Sequence, residues 1–169
     1  GKVRTLGAVT DDTSLLELLQ GEFPTTVVTA ELSLWEPSRR GMATWAQAHG
    51  MTLTASAPLG RGYLTGTIPP SRAFDSTDVR SHLPGFDAKT LRARRPLVEL
   101  LQSLARRTAS TPAQVALAWV AAQGHTTLPI PGARRVSHVE ENSAASELHL
   151  PQDLLAELDE AVAAAEAHT

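Results

Sequence analysis

PLGRGYLTG at residues 58–66 ends a β-branched run and opens a stretch rich in Gly, Pro, Ser and Asp, and LPIPGARRVSHVEEN at 128–142 repeats the passage from strand to loop to helix. Around these two segments, short β-branched runs alternate with longer stretches of helical period. Residues 3–9, 25–32, 51–56 and 126–130 read as strands, and each is followed by a helical pattern, at 14–20, 38–49, 89–108 and 136–145. Four βα units in succession predict a parallel α/β sheet. Ser14 with Glu17 three residues on has the spacing of a capping box, and Thr111-Pro112 opens a further amphipathic helix through Ala121. Gly50 and Gly124 are expected to stop two helices. A last amphipathic helix over 152–165 carries its apolar residues at Leu154, Leu155, Leu158, Ala161, Val162 and Ala165, and the residues after it are expected to fray. Residues 60–88 form a connection far longer than the usual two to six residues of a βα loop, as functional lids often are.

The chain has 169 residues, 42% of them hydrophobic and 20% charged, enough for a single globular domain over 1–169. Its 15 basic and 18 acidic side chains leave a formal charge of −3, with the basic residues scattered in pairs, which argues against nucleic acid as a partner. Cysteine is absent, so disulfides, thiol nucleophiles and Cys-ligated zinc are excluded, and the histidines lack metal-ligand spacing. With neither a membrane-length apolar run nor a signal-peptide pattern, the reading is a cytoplasmic protein without membrane contact.

Four βα units make half of an eight-stranded barrel, and a parallel sheet is ordinarily covered on both faces. A lone half leaves two open edges and one apolar face. Either a homodimer or a partner half-barrel is expected to complete it.

The ordered segments GKVRTLG at 1–7, VVTAELSLW at 27–35, LTASAPLGRGYLTG at 53–66 and LPIPGARRVSHVEEN at 128–142 resemble strands five to eight of the aldo-keto reductase family. The resemblance implies a (β/α)4 half of a TIM-type barrel. It also implies NADPH as cofactor and carbonyl reduction as ancestral activity, with the family's Asp, Tyr, Lys and His tetrad belonging to four units that this chain does not contain. Carried over position by position, Leu59 and Gly60 correspond to the pyrophosphate turn, Arg134 to the 2′-phosphate segment, and His138, Glu141 and Asn142 to the adenine end. Helix capping by Glu141 and Asn142 is the competing reading. At the nicotinamide end the family's hydroxyl, Gln and aromatic positions are filled by Val9, Thr29 and Ser56, and Ala133 replaces a Ser or Thr. A threonine is too short to present both a donor and an acceptor to a carboxamide.

These departures favour a non-redox enzyme of cyclase, isomerase or lyase type that requires no cofactor and acts on a small molecule at the strand mouths or a dimer seam. The alternatives are a piece of an NADPH-dependent carbonyl oxidoreductase and a non-catalytic nucleotide-binding subunit. Acid–base candidates are Asp11, Glu31, Tyr63, His82 and His138, with Thr10, Ser33, Trp35 and Ser56 as substrate-pocket residues. One of Asp11 and Asp12 is expected to cap a helix. Glu31 lies among apolar neighbours that suggest burial. Asp78 and Arg80 are expected to stabilise the lid, His49 to sit at a helix end, and His149 and His168 to face solvent.

Overall fold

The computed structural model describes residues 1–69 and 71–167. Four strands, β1 (Leu6–Val9), β2 (Thr25–Glu31), β3 (Thr52–Ser56) and β4 (Thr127–Pro129), form one wholly parallel sheet in sequence order. The helices are α1 (Thr13–Glu22), α2 (Arg40–Ala48), α3 (Ala88–Ala93), α4 (Arg95–Arg107), α5 (Pro112–Ala121), α6 (Val136–Ala144) and α7 (Gln152–Ala167). The βα alternation expected from the sequence is thus present. His168 lies outside the described residues, as does Thr169 in the 151–169 tail.

Local chemistry explains where the boundaries moved. Helix α1 is capped by Asp12, whose carboxylate accepts from Ser14 N at 2.9 Å and Leu15 N at 3.2 Å, so the expected Ser14/Glu17 box is not the cap. The stretch 89–108 is two helices, because Pro96 in the first turn of α4 lacks an N–H and crowds the preceding backbone. Arg94 at the break lays its guanidinium over the Trp35 ring at 4.2 Å. A true capping box opens α5, where Thr111 and Gln114 satisfy each other's backbone N–H groups. Gly50 follows α2 with φ +66, as a helix stop requires. Gly124, by contrast, is small because a Cβ there would come within 3.2 Å of Thr127 and Gln47 oxygens.

Strand alternation divides the sheet into two unlike faces. Val28, Ala30, Leu53 and Ala55 point into the core with Met42 and Ala46 of α2, Leu101 and Leu104 of α4, and Val115 and Trp119 of α5. Helix α7 packs its Leu154, Leu158 and Val162 stripe on this layer. The other face has no cover among the described residues. Pairing register places Val9, Thr29, Thr54 and Leu128 side by side across it, with Glu31 and Ser56 in the next row. Val9 is 85% exposed and Leu128 54%. Apart from Val79 in the lid, the exposed large hydrophobic residues sit on this face or along its edges. Val3, Leu6, Leu15, Leu18 and Phe23 lie on the β1/α1 side, and Ile130, Val136 and Val139 on the β4/α6 side.

Candidate functional site

A cleft of about 780 Å³ opens beyond the C-terminal ends of β3 and β4. Its floor is the turn that follows β3, contributing Pro58, Leu59, Arg61 and Gly62. One wall is the segment after β4, including Gly132 and Arg134, with His138, Glu141 and Asn142 on the succeeding α6. The opposite wall is the lid, with Arg72, Phe74 and Arg80. Four guanidinium groups therefore line the cleft against a single carboxylate, that of Glu141. Such a lining favours an anionic ligand, and Arg presents the planar donor fork that phosphate accepts.

Backbone conformation shapes the floor. Gly60, Arg61 and Gly62 all have positive φ, at +54, +52 and +92. Gly60 does not face the cleft: it is buried, and a Cβ on it would lie 2.8 Å from the Cβ of Trp35. Its N–H donates to Ala57 O at 2.9 Å, so the expected contact of Gly60 with a pyrophosphate gives way to a packing role over the indole. Gly62 is the glycine of this turn that lines the cleft.

The lid is anchored to that floor. Arg80 is gripped by Asp78 through Nε at 2.9 Å and Nη2 at 2.6 Å, donates from Nη1 to Arg61 O at 3.2 Å, and lies over the Phe74 ring at 4.5 Å. These hydrogen bonds from Arg80 hold the Asp78 carboxyl down to about 2. A depressed carboxyl pKa contributes order above the ordinary value of 3.8 and loses it as pH falls toward 2. The protection of amides 75–83, taken relative to the unfolded chain at the same pH, is expected to hold from pH 7 to 4 and fall below that. Asp78→Asn is expected to shrink the step, with Asp75, whose carboxyl is also held down by its bonds to Thr77, accounting for what remains.

The family model described as "Aldo/keto reductase family" matches residues 1–163. The chain belongs to the aldo/keto reductase family. Its relatives include an NADP(+)-designated aldo-keto reductase of Schizosaccharomyces pombe, 31% identical over 95% of this chain and 48% of that protein. A probable aldo-keto reductase of Glycine max is 30% identical over 96% of this chain and 47% of that protein. The chain spans about half the length of these curated relatives. Among solved structures, a glycerol dehydrogenase of Gluconobacter oxydans superposes with TM-score 0.90 at 23% identity, covering 96% of this chain and 50% of that one. A thermostable aldo-keto reductase bound to epalrestat gives TM-score 0.66 at 25% identity, covering 94% and 48%. The sheet is thus the aldo/keto reductase barrel over half its circumference.

Leu59, Arg134, His138, Glu141 and Asn142, which the resemblance led one to expect at a cofactor, all line this same cleft. Gln114 of the capping box also donates to Glu141 O at 3.0 Å, which fixes α6 against α5. The acid–base candidates do not converge, for only His138 reaches the cleft. Tyr63 is buried, its hydroxyl donates to Leu91 O, and burial pushes the phenol's pKa up, which corrects its reading as an acid–base group. Asp11 pairs with Arg39 at 2.7 Å, tying the loop after β1 to α2, and Asp12 is the helix cap. His82 lies outside the cleft with Nε2 3.0 Å from Ser76 O. Glu31 is half-buried and not enclosed; it pairs with Arg61 at 3.1 Å.

The expected substrate wall is corrected as well. Ser33 is fully buried and its Oγ accepts from Trp35 N and Glu36 N, so it closes a turn. Trp35 is core beneath the Gly60 turn, edge-on to Tyr63 at 4.8 Å and beside Phe86 at 4.9 Å. Thr10 Oγ1 accepts from Asp12 N at 3.0 Å in the loop before α1, and Ser56 is half-buried beside Glu31 on the open face. His49 is bonded and stacked at the end of α2, as its position implied. His149 is exposed.

At the nicotinamide-side positions, Thr54 Oγ1 donates to Val28 O at 3.3 Å, and Thr29 Oγ1 is 2.6 Å from Thr54 Oγ1. Val9 beside them offers only an isopropyl group. The cleft lining thus suits an anionic phosphate ligand, while Val9 and Thr29 do not offer the carboxamide contacts that the resemblance leads one to expect. Among the described residues no cluster of acidic or His side chains could hold a metal, and no helix is long and apolar enough to cross a membrane.

Proposed function

We propose that this chain provides the adenosine-phosphate end of an NADP(H) site in a carbonyl oxidoreductase. Four further βα units, from another segment or polypeptide, would cover its open face and bring the groups that act at the carbonyl. The observation that carries this reading is the cleft beyond β3 and β4, lined by four arginines of which Arg72 and Arg134 have no ion-pair partner among the described residues. NADPH, when bound, supplies the hydride. The chain's part is to bind and orient: Arg134 for the 2′-phosphate, Glu141 and Asn142 toward the adenine, and Leu59 and Gly62 as the floor beneath the phosphates. The lid, anchored through Asp78 and Arg80, shields that floor from water.

The non-redox reading finds no support, since its acid–base candidates are dispersed and the named relatives are reductases. A nucleotide-binding subunit without hydride transfer is the second reading, favoured by the Thr29–Thr54 bond and by Val9 at the carboxamide positions.

Calorimetry with NADPH, NADH and adenosine 2′,5′-bisphosphate tests the proposal. Arg134→Met is expected to weaken both 2′-phosphate ligands by about tenfold to a hundredfold, the worth of a charged hydrogen-bonded pair, and to leave NADH unchanged. Equal affinity of the native protein for NADPH and NADH would remove the 2′-phosphate assignment. Absence of binding by all three would remove the function. If binding is present, carbonyl-dependent NADPH oxidation by the protein with its complementary half separates the first reading from the second.

A further inference from the structure

The cleft's four arginines differ in how their charge is met. Arg72 and Arg134 have no ion-pair partner among the described residues, and Arg80 is held by Asp78 in its own lid segment. Arg61 is different again: its Nη2 makes a single contact of 3.1 Å with Glu31 Oε2, thirty residues away on β2. That contact is not a two-pronged fork, and both side chains remain partly open to solvent. Arg61 also holds a left-handed backbone at φ +52, a conformation that disfavours every residue with a Cβ. Glycine would serve the turn better, so the turn alone gives no reason for an arginine here. Its carbonyl meanwhile accepts the Arg80 bond that anchors the lid.

We propose that Glu31 is an internal counter-ion that holds the Arg61 guanidinium at the cleft's rim and is displaced from it by the phosphate groups of an entering ligand. The exchange replaces one exposed carboxylate contact with contacts to a doubly charged pyrophosphate, which a guanidinium can grip in a fork. Glu31 thereby lowers the affinity for dinucleotide and keeps the arginine oriented until the ligand arrives. Because it acts through Arg61, Glu31 is a positioning residue. This inference rests on the adenosine-phosphate reading of the cleft.

The test measures NADPH and adenosine 2′,5′-bisphosphate binding, the second lacking the pyrophosphate bridge. Glu31→Gln is expected to tighten NADPH binding by about threefold to fivefold, the scale of a partly exposed ion pair of up to about 1 kcal/mol. The gain should shrink as salt rises, and Glu31→Asp should keep the native affinity. Arg61→Gly suits the left-handed turn, so it is expected to fold at least as stably while weakening NADPH more than adenosine 2′,5′-bisphosphate. In the Arg61→Gly background, Glu31→Gln is expected to add nothing. Unchanged or weaker NADPH binding in Glu31→Gln, with the native protein still binding both ligands, overturns the counter-ion role and leaves the cleft assignment standing. A Glu31→Gln gain that persists in the Arg61→Gly background also overturns it. Failure of the native protein to bind either ligand overturns both.

Discussion

Trp35→Ala is expected to cost about 3–5 kcal/mol of stability, the range for deleting a large aromatic side chain from a core, and to loosen the cleft floor with it. The indole is the point on which three separate elements rest. The Gly60 turn lies against its Cβ, Tyr63 and Phe86 pack on its ring, and Arg94 stacks over it while donating to its carbonyl. Removal leaves a cavity and takes the aromatic face away from a guanidinium whose Nε is already buried without a hydrogen-bond partner. The floor residues Arg61 and Gly62 follow the turn that this ring supports, so NADPH affinity is expected to fall together with stability. Urea unfolding read by circular dichroism, with NADPH titration of the folded protein, checks both. Trp45→Ala is the comparison: Trp45 is only half-buried and stacks on exposed His49, and its loss is expected to leave binding unchanged. A Trp35→Ala loss below about 1 kcal/mol would mean that the turn is held by something other than the indole.

The same residue shows where sequence reading reached and where it ended. The alternation of β-branched runs with helical periods places every strand, because a period of two and a period of 3.6 are set by the backbone itself. Arg134, His138, Glu141 and Asn142 share one cleft because they are close in the chain, and a helix starting at Val136 turns 138, 141 and 142 to one side. Trp35 was different. An apolar residue at the mouth of a strand serves equally as pocket wall or as core, and only the return of residues 58–64 over it decides. The Glu31–Arg61 pair and the Arg80–Arg61 bond likewise join positions 30 and 19 residues apart, a closeness that no local pattern carries. Reading 89–108 as one helix misses the break at Arg94, although Pro96 carries its signal.

Leu128→Asp is expected to be nearly neutral in the separate chain and strongly destabilising in the completed barrel. In the chain alone Leu128 is 54% exposed on the open face, and a carboxylate there meets water, so stability should change by no more than about 0.5 kcal/mol. If four further βα units close over that face, the row Val9, Thr29, Thr54 and Leu128 becomes an interior layer of the barrel. A carboxylate in such a layer needs donors. The two hydroxyls of the row are already engaged, Thr29 Oγ1 with Thr54 Oγ1 at 2.6 Å and Thr54 Oγ1 with Val28 O at 3.3 Å. The introduced carboxylate, once enclosed and unless the complementary half sets a donor against it, would stay unpaired at a cost of about 3 kcal/mol or more, or be driven to its protonated form. Lowering the pH should then recover part of the loss, because the neutral acid is cheaper to enclose. Ala156→Asp controls for added charge: Ala156 is exposed on α7, on the helix-covered side of the sheet, and its substitution should have the same small effect in both settings. The measurement is the urea midpoint of each variant with and without the complementary half. Equal, small shifts for Leu128→Asp in both would mean that this face stays wet, and the closed barrel would have to be given up.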